Sequence, residues 1–373
     1  MKSYAMQDQC SRGRRYPEDS YDQARAIYDR DIDRVIHSRS FKRLAGKTQV
    51  ITGRQSDHHR TRLTHSIEVA TLCRSVAQRL ELNPSLAACL GFCHDLGHPP
   101  LGHCGEEVLN EICQRYGDSF EHNRHTLTIV DEFEQKYATC PGLNLSYEVR
   151  EGIVKHSAHA KPLADASLAE FEPDLHPPLE AQLIDYLDEV CYCYSDLDDA
   201  LETGFIDLET DILASLDPFR ELFESLAARY ATARSRLVFN ETLRRMMNQT
   251  VLDLIDRVRT EVEARGIETL ADVKRAEARL VGYSEPMGEW IRDLKAFLRR
   301  AYYQHPQIHN SRLENVAKIR RLYELYDEDP GRLPSHYQEL IRNGRLPRHR
   351  VIVYYIAGFT DFFFFQVSEK FGL

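Results

Sequence analysis

The hydrophobic pattern is helical nearly throughout the chain. Strongly alternating, β-branched runs are scarce, and Ala, Leu, Glu and Arg dominate. This predicts an all-α fold, with helices over about 22–44, 64–81, 84–95, 103–116, 122–137, 146–158, 178–202, 210–232, 237–265, 269–281, 285–303, 306–327, 335–343 and 348–371. Asn83-Pro84 supplies a cap residue and a first-turn proline, Pro177-Pro178 marks another start, and Gly97 to Gly102 is a forced break. The most strand-like pieces are Val50-Ile51-Thr52 and Val351 to Tyr355, the second of which reads as the opening of a buried terminal helix. Ala160 to Pro178 is a Pro- and Ala-containing loop that either separates two parts of one domain or acts as a flap. There is no tandem repeat, low-complexity tract or long linker, so a single all-α domain over 1–373 is expected.

Composition narrows the class. The chain has 373 residues, 42% hydrophobic and 28% charged, as in a soluble globular protein. No apolar run approaches the length of a membrane span, and the first ten residues lack the apolar core of a signal peptide. A cytoplasmic location without a membrane partner is therefore expected. A net charge of −10 argues against a generally basic nucleic-acid-binding body. Basic residues nevertheless cluster towards the amino terminus (Arg12, Arg14, Arg15, Arg39, Lys42, Arg43, Lys47, Arg54, Arg60, Arg62), which suits either a solvated helical face or a small polyanion. The nine cysteines are odd in number and form no C-x-x-C pair, and they read as reduced, buried, small hydrophobes.

The densest chemistry lies in His94-Asp95-Leu96-Gly97-His98-Pro99-Pro100. An adjacent His-Asp pair can give one imidazole nitrogen and one carboxylate oxygen to a divalent metal, although such a pair taken alone fits a solvated helix end better. His98 and His103 follow within nine residues, and that crowding favours a site. His65 opens an upstream helix just after Arg60 and Arg62, whose planar guanidinium forks suit phosphate oxygens. Asp188, Tyr192 and Asp196 are spaced i, i+4, i+8 and share one helix face among apolar neighbours, so the acids need a cation, either a metal or a salt-bridge partner. His103 and Glu106, at i, i+3, fit a hydrogen-bonded proton-handling pair or a helix-start interaction. Gly46-Lys47-Thr48 is not the tail of a P-loop, because Phe41 stands where the motif needs glycine. His122-Asn123-Arg124-His125 and His156-Ser157-Ala158-His159 lack the glutamate of a zincin.

In this order, His65, His94-Asp95 and Asp188 resemble the ligand set of the HD-domain metal-dependent phosphohydrolases. More narrowly, the chain resembles the deoxyguanosine triphosphate triphosphohydrolase family. The matching segments are Arg39 to Val50, Arg60 to Ser66, His94 to Glu106, Phe120 to Asn123, Arg150 to His156 and Asp188 to Asp199. The resemblance implies a phosphohydrolase core over about 28–205 and a helical carboxyl-terminal extension over about 206–373. It further implies that His65, His94, Asp95 and Asp188 ligate the metal and that His103 with Glu106 handles the proton. His98 and His122 would line the phosphate path, and Arg62, Lys155 and Tyr192 would hold triphosphate oxygens. Asp196 would meet the sugar 3′-hydroxyl with Gln49 nearby, and Arg43 would lie near the pocket. Two positions depart from the family pattern: Tyr354 replaces an acidic residue before Tyr355, and Phe362 replaces an arginine after Asp361.

Two histidines and two carboxylates form a mixed nitrogen and oxygen set that suits Mn, Mg, Co, Fe or Ni. The residues alone reach metal-assisted phosphoester hydrolysis. The resemblance adds the reaction, a dNTP converted to deoxynucleoside and inorganic triphosphate, and with it a homo-oligomer and a nucleotide or single-stranded DNA effector. Another HD phosphohydrolase (a nucleotidase, a signalling-nucleotide hydrolase or a single-strand nuclease) and a non-catalytic nucleotide-binding module are the competing readings.

Overall fold

A computed structural model describes residues 1–18, 25–49, 60–156, 166–344 and 346–373. Among these residues there is no strand, only isolated bridges such as Thr48 with Thr61. The first half comprises α1 (Ile27–Ile36), α2 (Arg39–Arg43), α3 (Arg62–Arg79), α4 (Pro84–Cys93), α5 (Gly102–Gln114), α6 (His122–Thr128), α7 (Tyr147–Lys155) and α8 (Leu179–Glu202). The second half comprises α9 (Asp217–Arg229), α10 (Ser235–Ala264), α11 (Leu270–Arg275), α12 (Glu285–Leu298), α13 (Pro306–Glu328), α14 (Ser335–Arg342), α15 (Arg348–Ala357) and α16 (Asp361–Lys370).

Three expected helices are broken by local chemistry. The 22–44 segment divides at Ser38, whose hydroxyl caps α2 by accepting from the Phe41 amide. The 269–281 segment stops at Arg275. The terminal 348–371 segment bends by 117° between α15 and α16, where Thr360 caps the second helix by accepting from Phe363 N–H. The last turn of α12 widens into a π turn over Arg299–Tyr303. Val50-Ile51-Thr52, Arg54 and the start of the expected 160–178 loop lie outside the described residues, and Ala166–Phe171 forms a short 3₁₀ helix.

The apolar pattern explains the layering. Nearly every side chain of α4 is buried, so this helix is covered on all sides, by α1, α3, α7 and α8. Asn83 starts it by accepting from the Ser85 and Leu86 amides. The helix α8 runs from this core into a second one, where its Val190, Tyr194 and Leu197 pack with α9, α10 and α12. A third cluster joins α5 to α13, α15 and α16 through residues such as Val108, Ile112, Ile352, Ile356 and Phe364. Full burial of one such Leu, Ile or Phe contributes about 1.5–3 kcal/mol. The carboxyl-terminal helices are thus packed directly behind α5, the helix that carries His103 and Glu106. Among the described residues no single helix is long and apolar enough to cross a membrane. Six cysteines are buried as expected, whereas Cys10 is exposed and Cys104 and Cys140 are partly so.

Candidate active site

Close backbone contact brings the first two histidines together. A Cβ at Gly91 would sit 2.5 Å from the Ala70 Cα, so only glycine lets α4 lie this near α3. That approach sets His65, in the first turn of α3, against His94, just past α4, with ring centroids 5.3 Å apart. The start of α3 is fixed by a capping box between Thr61 and Thr64. His94 Nδ1 donates to the Gly91 carbonyl at 2.8 Å, which fixes its tautomer and leaves Nε2 with a bare lone pair. Asp188, from α8, places Oδ1 2.8 Å from His65 Nε2 and 3.6 Å from His94 Nε2. Asp95 Oδ1 is 3.5 Å from His94 Nε2.

This arrangement fits a divalent cation. His65, His94 and Asp188 offer ligand atoms that all lie within 4.8 Å of one another. His94 Nε2 is buried and has no hydrogen-bond partner, an expense that a metal ligand removes. Burial pushes the His94 imidazole pKa down despite Asp95 and Asp188, so it presents the neutral form that a metal needs. Burial pushes the Asp188 carboxyl up, but the hydrogen bond from His65 and the proximity of His94 outweigh it and hold the group ionised. Asp95 behaves likewise: burial is overcome by Arg62, whose Nη1 donates to Asp95 Oδ2 at 2.9 Å, and by His94.

A second corner is built around Glu106. Gly97 lies so close to α6 that a Cβ there would sit 2.1 Å from the His122 carbonyl oxygen. As a result the His98 and His122 rings stack at 3.9 Å. Glu106 accepts from the His122 amide at 2.8 Å and from His122 Nδ1 at 2.9 Å. His103 Nδ1 is farther from Glu106, at 3.8 Å, and its side chain is 76% exposed at the mouth of the site. The direct hydrogen-bond partner of Glu106 is therefore His122, not the His103 expected from the i, i+3 spacing. Burial pushes Glu106 up, but hydrogen-bonded His122 and the nearby His103 pull it well below the usual carboxylate range. Burial and then Arg62 push His98 down, and its Nδ1 has no partner.

These two corners share a cavity of about 410 Å³ that also reaches Gln49, Tyr192 and Asp196. Tyr303 donates to Asp196 Oδ2 at 2.5 Å, leaving the buried Oδ1 with no partner. Gln49 Oε1 is also buried without a partner. Tyr192 lines the wall, with its hydroxyl donating to Glu189 at 3.3 Å. Arg62, His65, Asp95, His98, His103, His122 and Asp188 face the same space.

Two expected residues are elsewhere. Lys155 does not line the cavity: its ammonium donates to Glu151 Oε1 at 2.8 Å and to the carbonyls of Glu172 and Leu175. Arg43 lines a neighbouring pocket with His125, Tyr337 and Tyr354. The sequence reading missed Tyr303, Arg312 and His156 as cavity residues. The first two come from the carboxyl-terminal half, where no spacing pointed to chemistry. His156 ends the family-matching segment beside Lys155, but the resemblance gives it no role of its own, and its only other pattern is a failed zincin motif. Asp185 orients it at 2.6 Å, and although burial alone would lower its pKa, Asp185 raises it overall.

His125 supports Gly97 from behind, donating Nδ1–H to the Gly97 carbonyl at 2.9 Å. Burial pushes its pKa down to about 3. The unfolded chain, near 6.5, then binds a proton that the fold refuses, so this contribution to stability is complete above about pH 6.5 and is lost as pH falls towards 3. At pH 5 the loss is about 2 kcal/mol. Urea unfolding in the presence of chelator should therefore show a pH 7 to pH 5 decrease that is smaller by about this amount in His125→Gln. Equal decreases in the two proteins would refute the assignment.

Family models match this chain twice: an HD domain over residues 62–192 and a phosphohydrolase-associated domain over residues 281–370. The first covers His65, His94, Asp95 and Asp188, and the second covers Tyr303 and Arg312. The chain is 40% identical over 365 residues to a deoxyguanosinetriphosphate triphosphohydrolase-like protein of Geobacter sulfurreducens, covering 97% of this chain and 92% of that relative. Proteins of the same description from Azoarcus sp. and Bordetella pertussis are 42% and 38% identical, each over 97% of this chain and 93% of the relative.

Proposed function

The chain belongs to the family of deoxyguanosinetriphosphate triphosphohydrolase-like HD-domain proteins and is a hydrolase; from that premise we propose that it converts deoxynucleoside triphosphates to deoxynucleoside and inorganic triphosphate. The observation that carries this reading is the pairing of the cation-ready cluster His65, His94 and Asp188, of which His65 and Asp188 line the cavity, with the unpartnered Asp196 carboxylate oxygen in the same cavity. The first suits the reacting phosphate and the second a sugar hydroxyl.

His65, His94, Asp95 and Asp188 hold the metal, one of Mn, Mg, Co, Fe or Ni. When bound, it supplies Lewis-acid activation of water and of the phosphoryl group. Arg62, already fixed by Asp95, offers its remaining N–H groups to phosphate oxygens in a fork that needs little reorganisation. His98 and His122 line the phosphate path, and Tyr192 adds a hydroxyl donor. Asp196 Oδ1 accepts from the sugar 3′-hydroxyl while Tyr303 holds its other oxygen, and Gln49 lies beside the sugar. Glu106 keeps a negative charge beside His122 and His103, so either imidazole becomes a better proton carrier as charge moves in the reaction. Lys155, committed to Glu151, anchors the end of α7.

The test is a panel of all four dNTPs, alone and mixed, with Mn, Mg or Co, in which products are separated. Inorganic triphosphate and deoxynucleoside are expected. Phosphate, diphosphate or shortened oligonucleotides as products would assign the cavity to a different phosphohydrolase reaction, and binding without turnover under every metal would make it a binding module.

A further inference from the structure

We propose that Asp361, the first residue of α16, is a positioning residue that holds the turn carrying Glu106 and His103, with Lys47 as a second tie; this rests on reading that pair as the proton-handling corner. Leu101, immediately before α5, has a φ of 66°, in the left-handed region that a leucine side chain disfavours. Something must hold it there. Its N–H donates to Asp361 Oδ1 at 3.0 Å, a contact across 260 residues of chain. Asp361 is buried, and its other oxygen accepts from Thr48 N–H at 2.9 Å and from the Thr48 hydroxyl at 2.5 Å. One residue earlier, the buried Lys47 ammonium donates to the carbonyl of His98 and, at 3.1 Å, to that of Ala357 at the end of α15.

The loop before Gln49, the turn from His98 to Leu101 and the bend between α15 and α16 therefore meet in one knot. The fit leaves little slack, since a Cβ on Gly46 would already stand 3.0 Å from Thr360. Glu106 lies five residues beyond Leu101 on the same helix. Relaxing Leu101 into an ordinary conformation would rotate the first turns of α5 and move Glu106 away from His122. Asp361 touches neither the cavity nor the ligands; it acts through Leu101.

The test compares Asp361→Ala, Asp361→Asn and Thr48→Val in the full chain. Asp361→Ala should lower kcat for triphosphate release tenfold or more, with KM within threefold and metal content unchanged. Amide exchange over residues 97–106 should quicken tenfold or more while the rest of the chain stays near the wild-type rate. Asp361→Asn, with one acceptor oxygen instead of two, should fall between Asp361→Ala and wild type. Thr48→Val, which keeps the Leu101 contact, should stay within twofold in both readouts. Wild-type kcat and exchange in Asp361→Ala would overturn the proposal, as would faster exchange spread evenly over the whole chain. The exchange readout needs no substrate, so a wild-type protein inert towards every dNTP would refute the proposed reaction while leaving the Asp361 contact still testable.

Discussion

Replacing His65 with alanine is expected to empty the metal centre and to lower kcat/KM by about 10³-fold or more. The residue is 1% exposed, and its Nε2 lies 2.8 Å from Asp188 Oδ1, inside the candidate ligand cluster. Loss of His65 would leave His94, Asp95 and Asp188, one donor fewer and only one imidazole, and so a weaker hold on a first-row ion. Elemental analysis of the purified variant checks the first half of the expectation and triphosphate release the second. Thermal unfolding supplies an independent control. A metal that binds only the folded state stabilises it by about 2.7 kcal/mol at a hundredfold excess over its Kd. Chelator should therefore lower the Tm of the wild-type protein and leave that of His65→Ala unmoved. A variant that keeps its metal and turns over normally would remove His65 from the site.

Helical periodicity and punctuation were enough to place most helices, because both are local properties of the chain. What they could not convey was how the elements cross. The 348–371 segment reads as one continuous apolar helix, yet the Gly358–Thr360 break turns it back so that Asp361 meets Leu101. Spacing along a helix also misled in one place. His103 and Glu106 are three apart, which suggested a pair, but the carboxylate is taken by His122, sixteen residues away, because the close approach at Gly97 brings α6 against the HD turn. Lys155 shows the same limit in reverse. Its place in a recognisable segment suggested a phosphate contact, whereas buried Glu151 one helical turn earlier satisfies its charge first. The candidate ligand set was legible only through the family resemblance, since adjacent His94 and Asp95 alone also fit a solvated helix end and the shared face of Asp188, Tyr192 and Asp196 also fits a salt bridge. Tyr303 and Arg312 were not legible, since a lone tyrosine and arginine on distant helices carry no pattern of their own.

The geometry around Glu106 yields the second large effect. Glu106→Gln should reduce kcat by about 10²–10⁴-fold while a metal at His65, His94 and Asp188 stays bound, because Glu106 belongs to a separate group with His98 and His103. Its charge is what matters. The glutamine carbonyl could still accept from His122, but the carboxylate that favours an imidazolium would be gone. His103→Ala should slow turnover in the same direction with metal retained. Its 3.8 Å separation from Glu106 is a gap that substrate binding can close, as often happens when a catalytic hydrogen bond tightens only in the complex. His122→Ala should act differently: it removes the ring stacked on His98 as well as the direct partner of Glu106, so KM should rise along with the fall in kcat. Steady-state kinetics with metal analysis on these variants separates the roles. Loss of metal in His103→Ala would make that histidine a ligand instead of a proton carrier, and full activity in Glu106→Gln would place proton transfer elsewhere in the cavity, with Asp185-oriented His156 the next group within reach.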